Sequence, residues 1–182
     1  MAGKWTKEFG SWLAQYLVTS NLYSVYYDHG DKPKNPSVVA VKGFFGDEVR
    51  NGNRLADVDV LVASNNDAIL LVEIEESEMP PKKLLGDIFA VAMCNRFAVR
   101  INSDNRYFDI SSKTHLIVAG LVPNQDGEHN KITDIIMPRL QNFVLPTNAI
   151  QINRIKIVTG KDISETLERL KAETKSLFSE PK

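Results

Sequence analysis

The chain has few of the residues that usually carry redox, thiolate-metal or histidine-based chemistry. It contains one cysteine, Cys94, and three histidines in 182 residues. A single cysteine excludes a disulfide framework and a thiolate metal cluster within the chain. Cys94 closes an apolar stretch with helical spacing, so we expect a buried core thiol, and the absence of disulfides is typical of a reducing cytoplasm. His29, His115 and His129 are scattered and show no metal-ligand spacing.

Long apolar runs and a surplus of one charge sign are also absent. No stretch reaches the roughly 20 apolar residues of a membrane-spanning helix, and residues 1–4 lack the apolar core of a signal peptide. We therefore expect a cytoplasmic protein with no membrane association. The net charge of −1 and the hydrophobic content of 43% are typical of one globular domain with a real core, which we place over residues 1–182. Near neutrality weakens any claim of nucleic-acid binding made from charge alone.

Four acidic side chains share one face of a predicted β-hairpin. Residues 54–63 and 68–76 are rich in valine, isoleucine and leucine, and the polar residues 65–67 between them are a turn signal. Alternate strand residues share a face, so Asp57 points the same way as Asp59, and Glu73 the same way as Glu75. If the hairpin turns about Asn66, Asp59 lies opposite Glu73, and Asp57 lies opposite Glu75.

Such an arrangement needs an explanation, because like charges directly opposite each other destabilise a sheet. The carboxylates are either exposed to solvent or neutralised by a cation. Apolar residues fill the other face of both strands and also flank the carboxylates on their own face, which indicates strands covered on both sides. This pattern favours a metal site at the rim of a buried face over a solvated acidic surface.

The remaining periodicities predict an α/β fold with a mixed sheet. We expect a helix over residues 4–21, strands over 37–45, 54–63 and 68–76, a helix beginning at Pro80-Pro81, a short strand near 96–101 and a central strand over 114–122. Beyond residue 123 the pattern predicts a helix over 131–143 interrupted near Pro138, a strand over 149–159 and a helix over 162–178. Asp162 and Glu165 occupy the N-cap and capping-box positions of that last helix.

Asp59, followed fourteen positions later by Glu73-Ile74-Glu75, resembles the PD-(D/E)XK nuclease superfamily, which includes type II restriction endonucleases, Holliday-junction resolvases and repair nucleases. Residues 4–122 match its αβββαβ order. The resemblance implies a restriction-endonuclease-like core with a mixed central sheet flanked by helices, and residues 123–182 would form an αβα extension. Two positions depart from the motif: Val58 precedes the aspartate where proline is usual, and Glu75 occupies the usual lysine position.

The resemblance also implies a bound Mg²⁺, with Mn²⁺ as a possible substitute, because hard cations prefer carboxylate oxygens. Asp59 and Glu73 would be the first ligands, and Glu75 would complete the site or position the attacking water. Asp57 would lie behind them, or exchange roles with Asp59 if the register shifts by two. Glu8 resembles the extra acidic residue that some members bring from the first helix, and is equally explained as a first-turn glutamate favoured by the helix dipole.

A lysine missing from the motif is supplied by the following helix in some relatives. On a helical wheel Lys82 lies at the edge of the apolar face, whereas Lys83 points further toward solvent, so Lys82 is the candidate catalytic lysine. A first-turn lysine that only solvates the helix start is the alternative.

The leading functional hypothesis is a metal-dependent DNA endonuclease of the type II restriction type, acting as a homodimer on a symmetric site. A Holliday-junction resolvase or a repair nuclease is the nearest alternative. A third reading is a nucleic-acid or protein binding module that keeps the fold without the activity, since Glu75 replaces the lysine. The weakest is an unrelated α/β fold in which the acidic hairpin arises by chance.

Overall fold

The computed structural model describes residues 3–29, 38–46, 48–78, 80–122, 131–144 and 152–179, without the side chains of residues 133 and 141–144. The helices are α1 (Lys4–Tyr16), α2 (Pro81–Ala92), α3 (Met137–Val144) and α4 (Ile163–Ser179), with a π-helical segment at Lys131–Ile136 and a 3-10 turn at Asn51–Asn53. The strands are β1 (Ser24–Tyr27), β2 (Val41–Phe44), β3 (Arg54–Val58), β4 (Val60–Ser64), β5 (Asp67–Glu78), β6 (Arg96–Ile101), β7 (Asp104–Asp109), β8 (His115–Leu121) and β9 (Arg154–Gly160). The α/β class is confirmed.

The strands form two connected groups. In the first group β4 is antiparallel to β1 and β5, and β5, β8 and β9 run parallel to one another. In the second group β3, β2, β6 and β7 pair in that order, all antiparallel. The chain passes directly from β3 in one group to β4 in the other through Asp59. The predicted mixed sheet flanked by helices is therefore present.

Both faces of the central hairpin β4–β5 are buried, as its apolar runs predict. One face packs against α2, and its core includes Leu61, Leu71, Leu84 and Ile88. The opposite face packs against α1 and α4, and its core includes Val60, Val72, Phe9, Leu13 and Leu170. Charged side chains at the open end of this hairpin consequently lie between two apolar layers, where water screens them poorly.

The predicted three-stranded meander is present only in part. Residues 41–44 form β2, within the predicted strand 37–45, and β2 is antiparallel to β3, the first part of the predicted strand 54–63. That predicted strand is divided at Asp59 into β3 and β4, and β2 pairs on its other side with β6 and not with β4. The outer neighbour of β4 is β1, a four-residue strand that the sequence did not predict. Four residues give too few alternations to identify a strand from its pattern. The polar strand β7 was not predicted either, because it contributes only Phe108 to the core and so shows no apolar alternation.

The other elements follow their predictions with shifted ends. Strands β6, β8 and β9 lie within the predicted segments, apart from one residue at the end of β9, although positions 37 and 149–151 fall outside the described residues. Helix α4 begins after Asp162, whose Oδ1 accepts a hydrogen bond from the amide of Glu165 at 2.9 Å. The carboxylate of Glu165 accepts one from the amide of Lys161 at 3.0 Å. No helix in the described part of the chain has the length and hydrophobicity that a membrane span requires.

Helix α1 approaches β1 closely because Gly10 lacks a side chain. A Cβ atom at this position would lie 2.3 Å from Cγ of Tyr27. We expect Gly10→Ala to lower the free energy of unfolding by about 2 kcal/mol, although alanine is intrinsically better than glycine in a helix by about 1 kcal/mol. Gly86→Ala on α2 is the matched control, since nothing lies within 4 Å of its added Cβ. Urea unfolding should show a lower free energy of unfolding for Gly10→Ala and a higher one for Gly86→Ala than for the wild type. Equal gains in both would contradict the close packing.

Candidate functional site

Asp59 and Glu73, with Glu75 and Asp87 beside them, form an acidic cluster where the β4–β5 ladder ends. Val60 pairs with Val72, so the next position brings Asp59 opposite Glu73, as the hairpin register predicts. The amide of Ile74 donates a hydrogen bond to Oδ2 of Asp59 at 2.7 Å, and the backbone of Asp59 lies beside the Glu73 carboxylate. The Asp59 carboxylate is thus anchored on the strand that carries Glu73, which holds the two side chains near each other.

Helix α1 holds the cluster from the opposite side of the sheet. The hydroxyl of Thr6 donates a hydrogen bond to Oδ1 of Asp59 at 3.0 Å. Glu76 accepts hydrogen bonds from the amides of Gly3 and Trp5, both at 2.8 Å, at the start of the helix. These amides have no partner within the helix, so Glu76 caps α1 and fixes Thr6 above Asp59. The sequence did not predict Thr6 or Glu76 as residues of the site, because their roles depend on where α1 packs.

Helix α2 contributes a cation and a further carboxylate. The ammonium group of Lys83 forms an ion pair with Glu75, whose side chain is only 10% exposed. Glu75 also accepts a hydrogen bond from the amide of Ser77 at 3.0 Å. Asp87, one turn after Lys83, is close enough to Glu73 to raise its pKa. Asp87 was not predicted, although its i,i+4 spacing from Lys83 places both side chains on one face of the helix.

The carboxylates of the cluster resist ionisation. Burial raises the pKa of Glu73 well above its usual value, and the negative charges of Asp59, Asp87 and Asp57 raise it further. Burial also raises the pKa of Asp59, although hydrogen bonds from Ile74 and Thr6 oppose this. Burial raises the pKa of Asp87 in the same way, and Lys83 opposes it. Several poorly solvated carboxylates that destabilise one another are the electrostatic setting in which a bound cation is favoured.

The predicted pairing of Asp57 with Glu75 is wrong. Asp57 lies opposite Lys42 across the β2–β3 ladder and forms an ion pair with Arg54, with 57% of its side chain exposed. The chain bends at Asp59 and carries β3 into the second group of strands, so the hairpin register does not extend to this residue. Asp57 nevertheless remains within electrostatic range of Glu73.

Two further sequence-based placements differ from the structure. Glu8 is half-exposed and lies 3.8 Å from the ammonium nitrogen of Lys171 on α4, so α1 directs it away from the hairpin carboxylates. Lys82 is exposed on the first turn of α2, whereas Lys83 reaches Glu75. Both lysines are exposed, and the ion pair with Glu75 is formed by Lys83 and not by the predicted Lys82. A helical wheel gives the angle between side chains and does not fix where the helix sits above the sheet.

Cys94 is a core thiol, as predicted. Its side chain is buried, and Sγ donates to the carbonyl oxygen of Ala90 at 3.3 Å. Burial, and then the charge of Glu73, raise the pKa of Cys94 to about 12. At neutral pH the group is consequently a protonated thiol and a poor metal ligand or nucleophile.

The donor set fits a hard divalent cation in its chemistry. Within the described residues, no three histidine, cysteine, aspartate or glutamate side chains are grouped closely enough to hold an ion by themselves. Mg²⁺ usually takes one or two protein carboxylates and completes its shell with water and substrate phosphate oxygens. Asp59 and Glu73 would be those two carboxylates. The other three predicted ligands have cationic partners in the structure: Glu75 pairs with Lys83, Asp57 with Arg54, and Glu8 lies near Lys171.

Comparison with other proteins adds no relative to this picture. No protein-family model, no curated protein and no solved structure matches the chain. The chemistry of the site has to be inferred from its own residues.

The raised pKa values predict that the metal-free protein loses stability as the pH rises. A carboxyl group whose pKa is higher in the folded state binds its proton more tightly there, so its contribution is full below the unfolded-state pKa and is lost above it. For Glu73 the loss should begin near its ordinary pKa of 4.5 and continue up to the raised folded value.

Urea unfolding in EDTA, from about pH 4.5 to about pH 8, tests this expectation. Glu73→Gln should flatten the profile, because glutamine does not titrate. Added Mg²⁺ should restore stability most strongly at the upper end of the range, where the carboxylates are ionised. A stability that rises across this interval in the unmodified protein would contradict the assignment.

Proposed function

We propose that this protein is a metal-dependent DNA endonuclease with a restriction-endonuclease-like core. In this proposal α1, β1, β4, β5, α2 and β8 correspond to the αβββαβ order, and β2–β3 and β6–β7 are insertions within it. The observation that carries the proposal is the juxtaposition of Asp59 and Glu73 at the end of a buried hairpin, with a lysine beside them on Glu75. Action on two strands suits a homodimer, and we place the protein in the cytoplasm.

The residues divide the chemistry of phosphodiester hydrolysis among them. Asp59 and Glu73 would hold Mg²⁺, which when bound would supply neutralisation of phosphate charge and a water of lowered pKa. The hydrogen bonds from Thr6 and Ile74 orient the Asp59 carboxylate, so that its geometry is fixed before the ion arrives.

Lys83 supplies the positive charge that the superfamily motif usually carries on the strand. Its ion pair with Glu75 brings an ammonium group from α2 to the motif position itself. There the ammonium group orients the attacking water and stabilises the charge that develops on the phosphate oxygens. The glutamate in the lysine position is thus compatible with activity, because it positions a lysine.

The test is cleavage of supercoiled plasmid, linear duplex and a four-way junction with Mg²⁺ or Mn²⁺. Asp59→Asn removes one ligand, and Asp67→Asn at the opposite end of the same hairpin is the matched control. Metal-dependent cutting that is lost only in the first variant supports the proposal, and the preferred substrate separates a restriction enzyme from a resolvase or repair nuclease. No cutting of any substrate, with no Mg²⁺ binding by calorimetry, would instead indicate the inactive binding module.

A further inference from the structure

A cleft of about 510 Å³ opens on the second group of strands, along β2 and β6. Lys42 and Ala98 are cross-strand neighbours in β2 and β6, and the adjacent Val41 and Val99 belong to the core. Because alternate residues face opposite sides of a sheet, Lys42 points outward into the cleft. The polar side chains that line it are Lys42, Arg50, Arg100, Asn51, Asn102 and Asn105, and no carboxylate occurs among its described lining residues.

Two of the three cations have no ion-pair partner in the part of the chain that the structure describes. Arg50 forms an ion pair with Glu48 at 3.1 Å, and both side chains are largely exposed. Lys42 and Arg100 form no ion pair with any residue that the structure describes. Like charges that share a cleft repel one another, and a ligand with several negative charges relieves this repulsion.

The cleft is bounded by a protruding β-ribbon formed by β6 and β7. Residues 102–107 of this ribbon are exposed. Its two-residue turn has Asn102 at φ 47° and Ser103 at φ 75°. Turns of this kind strongly prefer glycine at the second position, so a serine there stores strain that a glycine would remove.

Strand β3 leads from the cleft to the acidic cluster. Lys42 lies opposite Asp57 across the β2–β3 ladder, and Asp57 is two positions from Asp59 along the chain. A polyanion held on Lys42 and Arg100 therefore lies beside the strand that leads to Asp59.

We propose that the cleft and the β6–β7 ribbon bind duplex DNA, with Lys42, Arg50 and Arg100 on backbone phosphates and the Asn102–Ser103 tip in a groove. The identity of the ligand as DNA rests on the proposed function. The major groove of B-DNA admits a two-stranded ribbon, and asparagine and arginine can read its base edges. The major groove of an RNA duplex is too narrow for this. Single-strand sites need aromatic rings for stacking. Phe44, the aromatic residue in the described lining of the cleft, is only 4% exposed, and the exposed ring of Tyr107 on the ribbon already lies against the guanidinium group of Arg96.

Binding can be measured separately from cleavage. Fluorescence anisotropy in EDTA, with a labelled duplex of about 20 base pairs, should give a Kd that rises steeply between about 50 and 200 mM salt. Lys42→Gln combined with Arg100→Gln should raise the Kd at least about tenfold and reduce the salt slope by about two. Lys7→Gln combined with Lys161→Gln removes the same charge from exposed positions elsewhere and should change the Kd less than about twofold. Thermal unfolding of all variants verifies that the fold is retained.

The outcomes separate this inference from the proposed function. Loss of duplex binding in the cleft variant alone supports the cleft, even if no preparation cleaves DNA. Unchanged DNA binding in the cleft variant, or an equal loss in the cleft and control variants, overturns the assignment of the cleft as the DNA-binding surface even if the wild type is an active nuclease. Tighter binding of a single strand, of an RNA duplex or of polyglutamate than of the DNA duplex also overturns it. The same holds if the wild type binds no duplex.

Discussion

Replacing Glu73 by glutamine is expected to abolish Mg²⁺-dependent DNA cleavage and at the same time to stabilise the metal-free protein. Glutamine keeps the shape of the side chain but removes the charge that would hold the cation, which should lower the cleavage rate by about 1,000-fold or more. The same charge is poorly solvated and lies near three other carboxylates. Its removal should therefore raise the free energy of unfolding by about 1 kcal/mol in EDTA above pH 7.

The two effects have to be measured on one preparation. Plasmid cleavage under single-turnover conditions gives the rate, and urea unfolding in EDTA gives the stability. Glu168→Gln on α4 is the control, because that glutamate is 70% exposed and pairs with Lys171, away from the hairpin. A variant that cuts as well as the wild type would remove Glu73 from the site. A variant that is less stable than the wild type would show that Glu73 has a structural role.

Replacing Lys83 by methionine should lower the cleavage rate by about 100-fold, while Lys82→Met should change it less than about twofold. Lys83 forms the ion pair with Glu75, and Lys82 is exposed on the same turn of α2. Methionine preserves much of the apolar stem and removes the charge. The comparison therefore isolates the ammonium group at one of two adjacent positions on the same helix.

Lys83→Arg distinguishes a chemical from a packing role, because it keeps the charge and should retain more activity than the methionine variant. A larger loss for Lys82→Met than for Lys83→Met would reverse the assignment and support the original helical-wheel choice.

The positions of some residues in the candidate site can be predicted from the local sequence pattern, and those of others cannot. The pairing of Asp59 with Glu73 followed from two apolar runs and a turn between them, because side-chain alternation leaves few acceptable registers when both faces are buried. The same reasoning failed for Asp57. A strand that passes from one group of strands to another at Asp59 looks, in sequence, like one continuous strand.

The residues that surround this pair depend on tertiary packing. Thr6 and Glu76 matter because the start of α1 lies over the hairpin, and no periodicity within either segment contains that information. The proximity of Asp87 and Lys83 to each other could be predicted, because their spacing places them together on one face of α2. Only the position of α2 above β5 shows that this face meets Glu73 and Glu75. The strand β1, which completes the meander, is too short for its pattern to be read.

The capping of α1 by Glu76 also has a consequence for the order of folding. The amides of Gly3 and Trp5 find their acceptor more than 70 positions later in the chain, and Asp87 approaches Glu73 only after α2 has formed. Contacts of such long sequence separation are entropically expensive to close and form slowly. During synthesis the start of α1 must therefore wait until β5 has emerged from the ribosome. The start of α1 and Asp87 then reach the Asp59–Glu73 pair late in folding, after the local hairpin that carries the pair has formed.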